Sequence, residues 1–403
     1  MTGTAEISRL ARVALGRLVE PGHRELGVLV RTIGPLAALE KVRAGTVSRG
    51  LYAAARSRLG RTDPLERAAD DVARCERLGG RLVVPEDDEW PASLDGLADI
   101  GTGDEPHVHP PLCLWVRGPH PVAEVCERAV AIVGARAATA YGSHVAGELG
   151  YGLADRGWTV LSGGAYGVDG AAHRGALTAG GVTIAVLACG VDTAYPVGHA
   201  NLFERIAEEG LVLSEWPPGA TPQRHRFLVR NRVIAALSAG TVVVEAASRS
   251  GTRMTARRAH ELGRVVMAVP GPVTSALSVG PHELVRDFGA RLVVSSAHVI
   301  EEVGRLGEGL AAGRRPPAEE PRSRRDELEP RAARILDAVP LQKAAPVEKV
   351  AADAGLPARD VRRTLPTLVL LGLVEEVASG FRLTPAARVE LSTRAPTTTP
   401  TLR

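Results

Sequence analysis

Apolar positions along this 403-residue chain repeat with three different rhythms. From about residue 5 to residue 73 they recur at three- and four-residue steps. Leu10, Val13, Ala14 and Leu18 form one set, and Leu26, Leu29, Val30 and Ile33 the next. Such spacing lays one face of a helix against a core. Pro21-Gly22 and Gly34-Pro35 interrupt it, so residues 1–80 read as a small helical domain.

Between residues 127 and 305 the rhythm changes. Short Val- and Ile-rich runs at 130–133, 159–161, 182–187, 211–213, 241–244, 265–269 and 291–294 are apolar on consecutive positions. Strands buried on both faces have that pattern. Each gap is long enough for a crossover helix, so the predicted fold class is α/β, a Rossmann-like, doubly wound, mostly parallel sheet. Residues 81–126, with extended stretches at 81–85 and 112–117, are a bridge into this core.

Residues 306–330 follow, and within them 313–330 mix five arginines with five acids and with prolines. Such a stretch buries no core and is expected to be a disordered linker. Beyond it come helical stretches at 332–338, 347–354 and 358–371, then two short strands around Ser379-Gly380. Three helices and a hairpin predict a winged-helix domain over 331–390, with a disordered tail at 391–403. Pro366 falls inside the third helix and is expected to kink it, which puts duplex binding by this domain in question.

Composition adds little until its distribution is considered. The four cysteines, Cys75, Cys113, Cys126 and Cys189, are scattered, which argues against a disulfide frame or a zinc site. With no apolar run near membrane-span length and no secretory signal, the expected location is cytoplasmic, with no membrane partner. The net charge of +3 says nothing by itself. Yet from Trp216 to His260 the only acid is Glu245, against Arg224, Arg226, Arg230, Arg232, Arg249, Arg253, Arg257 and Arg258. Arg226 and Arg230 stand four apart, as do Arg249, Arg253 and Arg257. On a helix this spacing makes a stripe, suited to phosphate oxygens or else to a solvated face.

The predicted strand ends are rich in small residues. They carry Gly134-Ala135-Arg136, Ser162-Gly163-Gly164-Ala165-Tyr166-Gly167, Gly190 and Ser250-Gly251-Thr252. Taken singly, each is compatible with a tight turn. Together on one sheet edge they make a groove that backbone N–H groups can offer to an anion. Gly163-Gly164-x-x-Gly167 lacks the spacing of a dinucleotide fingerprint, and no Walker motif, nucleophile elbow or His-Glu-x-x-His is present. Asp169 and His173, four apart, read as helix-start capping and packing before they read as catalysis.

These blocks, in order, resemble the DNA processing protein A (DprA/Smf) family. The match runs through Gly134-Ala135-Arg136, Ser162 to Asp169 with Ala172-His173, Asp192 with Tyr195-Pro196, and Phe227 with Arg230-Asn231-Arg232. It continues through Glu245-Ala246, Ser250-Gly251-Thr252 and Val269-Pro270-Gly271. The resemblance implies a protein that is not an enzyme and uses no cofactor or metal. Its members bind single-stranded DNA, protect it, and load the recombinase RecA in natural transformation or recombination. It further implies a homodimer formed through the Rossmann-like domain and a SAM/helix-hairpin-helix-like first domain. Carried over by position, the DNA contacts are Gly134, Arg136, Ser162, Gly163, Gly164, Tyr166, Gly167, Arg230, Asn231, Arg232, Ser250, Gly251 and Thr252. Ala135 stands where the family has a serine, and Tyr166 where a basic residue is frequent. The alternative is a nucleoside-monophosphate phosphoribohydrolase of the lysine-decarboxylase-like family, although the corresponding stretch, Ser248 to Met254, lacks that family's early glutamate and Glu245, the one carboxylate that could serve, precedes the loop.

Overall fold

The computed structural model describes residues 2–60, 62–100, 107–304, 325 and 328–392. They fall into two units, one within Met1–Gly309 and one within Leu310–Arg403. The chain opens with α1 (Thr2–Leu18), α2 (Arg24–Ile33), α3 (Pro35–Ala44), α4 (Arg49–Arg56) and α5 (Pro64–Arg77). Local chemistry sets these limits. Gly34 has φ 83° between α2 and α3, a conformation side chains with a Cβ avoid. Ser48 and Asp63 cap α4 and α5 by accepting from the amides of Leu51 and Leu65. The bundle is not free-standing. Leu15, Leu18, Leu39 and Leu51 belong to one apolar cluster with Trp115, Leu187, Phe203 and Ile206 of the next layer.

The core follows as β1 (Gly80–Val83), β2 (Leu114–Arg117), α6 (Val122–Glu127), β3 (Ala129–Val133), α7 (Ala140–Ala154), β4 (Thr159–Ser162) and α8 (Val168–Thr178). Then come β5 (Thr183–Val186), α9 (Ala200–Glu209), β6 (Leu211–Ser214), α10 (Arg224–Ala236), β7 (Gly240–Val243), α11 (Thr252–Glu261), β8 (Val265–Ala268), α12 (Val279–Phe288), β9 (Arg291–Leu292) and α13 (Ser296–Val303). Among the described residues these strands form one sheet in the order β1-β2-β6-β5-β4-β3-β7-β8-β9. The strands from β3 to β9 pair in parallel, and β3 to β8 are almost wholly buried, which is why they read as unbroken apolar runs.

Residues 81–126 do more than bridge. Leu82 pairs with Trp115, and Trp115 with Ser214, so β1 and β2 extend the sheet as antiparallel edge strands. From β3 the chain winds outward through β4, β5 and β6, then returns to β7 on the other side of β3 and winds the opposite way. Ligands of open α/β sheets bind where the winding reverses, beyond the carboxyl ends of the strands. Here that point lies between Gly134 and Glu245.

The second unit holds α14 (Pro330–Ala338), α15 (Val347–Ala354), α16 (Ala358–Leu370), β10 (Val374–Val377), β11 (Gly380–Leu383) and α17 (Pro385–Ser392). Ile335, Val350, Val361, Leu365, Leu368 and Leu383 form its core. Helix α16 runs through Pro366 to Leu370. Most of the expected linker, and residues 393–403 of the expected tail, lie outside the described residues.

Candidate nucleic-acid interface

At the winding reversal lies a groove of roughly 680 Å³. Its floor comes from Gly134 to Arg136 after β3, its far rim from Ser250 to Thr252 before α11, and its side wall from the first three turns of α10. Glycine is required where the loops meet. A Cβ on Gly134 would stand 2.6 Å from Val168, and one on Gly163 would stand 2.5 Å from the Arg230 guanidinium. Gly167, at φ 75°, lets its loop abut the carbonyls of Ala135 and Arg136.

Arg230 ties these loops together from beneath. Its Nη1 donates to the carbonyls of Gly163, at 2.8 Å, and of Val186, and its Nε donates to Asn231. Asn231 in turn donates to the Gly251 carbonyl at 3.2 Å, and Thr252 to the Gly134 carbonyl at 3.3 Å. Arg230 is 5 % exposed. Burial pulls its pKa down to about 10, so it stays charged at neutral pH. Its counter-charge is Asp169, which accepts from the amides of Gly163 and Ala165 and whose own pKa burial raises.

Seven of the thirteen predicted contacts therefore line the groove: Gly134, Arg136, Arg230, Asn231, Ser250, Gly251 and Thr252. The other six do not. Ser162 is fully buried and donates to the Ile132 carbonyl, and Gly163, Gly164 and Gly167 shape the loop behind the surface. Tyr166 is exposed but packs edge-on against His199 at 4.8 Å. Arg232 points away altogether. It is 1 % exposed and forms a buried pair with Glu215 at 2.6 Å.

The acid-poor arginine stretch is acid-poor only in sequence. Arg226 pairs with Glu20, Arg232 with Glu215, Arg253 with Glu283, and Arg257 and Arg258 with Glu261. The expected stripe through Arg249, Arg253 and Arg257 does not form, because α11 begins only at Thr252. What remains exposed around the groove without a carboxylate partner, among the described residues, is Arg136, Arg224 and Arg249. Neither α10 nor α11 has an acid in its first turn, so both N-termini keep their positive end toward the groove.

Sequence reasoning missed the aromatic wall. Phe227 and Tyr195 stand 5.4 Å apart between ring centroids, and the Arg136 guanidinium lies 4.8 Å over the Phe227 ring. Leu228 beside them is half exposed. Only 3 % of the chain is aromatic, and the composition hid that two of these rings meet at one groove. His173 bears out its packing role. It is fully buried against the Thr183 hydroxyl at 2.8 Å. Among the described residues no group of His, Cys, Asp or Glu has the arrangement of a metal site, and no helix is long and apolar enough to cross a membrane.

A family model described as DNA recombination-mediator protein A matches residues 81–304. A Mycobacterium tuberculosis protein designated a DNA processing protein DprA is 46% identical over 362 residues, which is 90% of this chain and 90% of that protein. Protein Smf of Escherichia coli is 45% identical over 175 residues, 43% of this chain and 46% of its own. The X-ray structure of DNA processing protein A from Streptococcus pneumoniae superposes with a TM-score of 0.60 at 30% identity, covering 72% of this chain and 96% of that one. Proteins of this kind are DNA-binding recombination mediators and not enzymes. The chain belongs to the DNA recombination-mediator protein A family.

Proposed function

We propose that the groove at the winding reversal holds single-stranded DNA, and that the protein protects the strand and delivers it to RecA in natural transformation or recombination. The observation that carries this reading is the pairing of three uncompensated arginines with the Phe227–Tyr195 wall. Arg136, Arg224 and Arg249 offer guanidinium groups to phosphates, and the rings offer a face to bases of any identity. Duplex DNA keeps its bases stacked inside and cannot use that wall. Within this reading the N-terminal bundle is SAM/helix-hairpin-helix-like, the second unit is a winged helix, and two chains join through the Rossmann-like core.

The phosphoribohydrolase alternative is not favoured by the family match, and the site's chemistry points the same way. Glu245, the one carboxylate that could serve it, is 3 % exposed and occupied by the amide and hydroxyl of Thr139 at the start of α7. The test is fluorescence anisotropy with a labelled single strand and its duplex across a salt series. Single-strand preference with affinity falling steeply in salt supports the proposal. Equal affinity for both forms, or none at low salt, overturns it.

A further inference from the structure

A second cleft, of roughly 500 Å³, separates the helical bundle from the sheet. Its walls carry Arg17, Arg58, Arg67 and Arg226, with Glu20 as the carboxylate among the lining residues. Glu20 is already shared. It accepts from Arg58 and Arg226 at 2.8 Å each and from the Trp216 indole N–H at 3.0 Å. These donors hold its pKa down at about 2 against the cost of burial, so it is ionised at any working pH. Arg17 is paired with Asp71 behind the wall. Four arginines against these two acids leave the cleft net positive.

One arginine has capacity to spare, and a second is fixed within the wall. Arg67 is exposed and, among the described residues, has no hydrogen-bond or ion-pair partner through its side chain. Arg226 is 8 % exposed, stacks over Trp216 at 5.4 Å, and has a buried Nε–H without an acceptor. The cleft also adjoins the groove. Gln223 lines both, Thr221 lies on the cleft side, and Pro222 and Arg224 lie on the groove side. The bundle shares its apolar cluster with the sheet, so the cleft is a fixed feature of this unit and not a gap between loose parts.

We infer that a single strand does not end at the groove but continues past Gln223 into this cleft, where Arg67 and Arg58 take its phosphates. The inference rests on the single-strand reading of the groove. It assigns the N-terminal bundle a direct part in binding: the bundle forms one wall of the DNA path and lengthens the stretch of strand each chain covers.

The test uses the full chain and two labelled oligothymidylates, one of about 6 nucleotides and one of about 20, which bracket the usual span of single-strand sites. Arg67→Glu is the variant, because an exposed, unpartnered arginine can be reversed without loss of fold, and unchanged thermal unfolding verifies that. The long strand is expected to bind Arg67→Glu about tenfold more weakly than wild type, with a salt slope lower by about 0.7 or more. The short strand, held by the groove alone, is expected to bind both proteins equally. Equal binding of the long strand to wild type and Arg67→Glu overturns the inference while leaving the groove intact. If neither strand binds wild type, the groove reading itself has failed.

Discussion

The Nη1 of Arg230 donates to the carbonyl of Gly163 at 2.8 Å, binding the helix that walls the groove to the glycine loop behind its floor. This arginine reads from sequence as a phosphate contact, yet most of its hydrogen-bonding capacity is turned inward. Its charge still lines the groove, but its first role is to hold two loops at a fixed distance.

A Gly163→Ala change tests that role. The new methyl would stand 2.5 Å from the guanidinium, which two carbonyls and Asn231 prevent from moving aside. Overpacking of this kind costs about 1–3 kcal/mol. Chemical denaturation is expected to show that loss, and single-strand affinity is expected to fall with it because the loops spread.

Arg232 is expected to behave differently from Arg136, although both sit in motifs that resemble DNA contacts. Replacing Arg232 by Met strands the Glu215 carboxylate in the interior, where burial already raises its pKa. The expected cost is about 3–5 kcal/mol. The double change Arg232→Met/Glu215→Met removes both charges and is expected to recover most of it. The folded fraction of either protein should bind DNA as wild type does. A loss of affinity in the well-folded double variant would return Arg232 to the DNA site.

Phe227 is expected to matter through its ring. Phe227→Ala removes the face beneath Arg136 and the partner of Tyr195. Base stacking on such a ring is worth about 1–3 kcal/mol. Single-strand affinity is expected to drop accordingly with the salt slope unchanged, since no phosphate contact is lost. Phe227→Tyr should retain most of the affinity.

Acid is expected to destabilise the core through His173. Burial holds its pKa at about 3, and its Nε2 has no partner to stabilise a second proton. An unfolded histidine titrates near 6.5. The folded state therefore keeps its full stability above that pH and loses it as the pH falls from about 6.5 toward 3. At pH 5 the loss is on the order of 2 kcal/mol. Denaturation at pH 7 and pH 5 measures it, and His173→Asn should reduce the difference, leaving the part due to His109, whose pKa burial lowers to about 4. Equal pH dependence in wild type and variant would remove His173 as the cause.

Much of the fold was legible because strands buried on both faces leave an unbroken apolar signature, as at 130–133 and 182–187. The sheet's extension was not. β1 and β2 are short antiparallel edge strands, and nothing in their sequence says that Trp115 will lie beside Ser214. The groove's location followed from glycine at successive strand ends. Its charge did not, because the partners of Arg226, Arg232 and Arg253 come from Glu20, Glu215 and Glu283, and a window along the chain misses acids contributed by other elements. The aromatic wall was hidden for the same reason: Tyr195 and Phe227 are 32 residues apart and meet only in the fold.

In the proposed function, exposed arginines without carboxylate partners among the described residues hold a single strand beside the aromatic wall. Anisotropy with a labelled single strand, comparing wild type with Arg136→Glu across a salt series, tests it most directly. Arg136 is exposed and has no carboxylate partner among the described residues, so its reversal should leave the fold intact. Affinity is expected to fall at least about tenfold, with a shallower salt dependence. Unchanged affinity and slope in a folded Arg136→Glu protein would contradict it and move the DNA away from this groove.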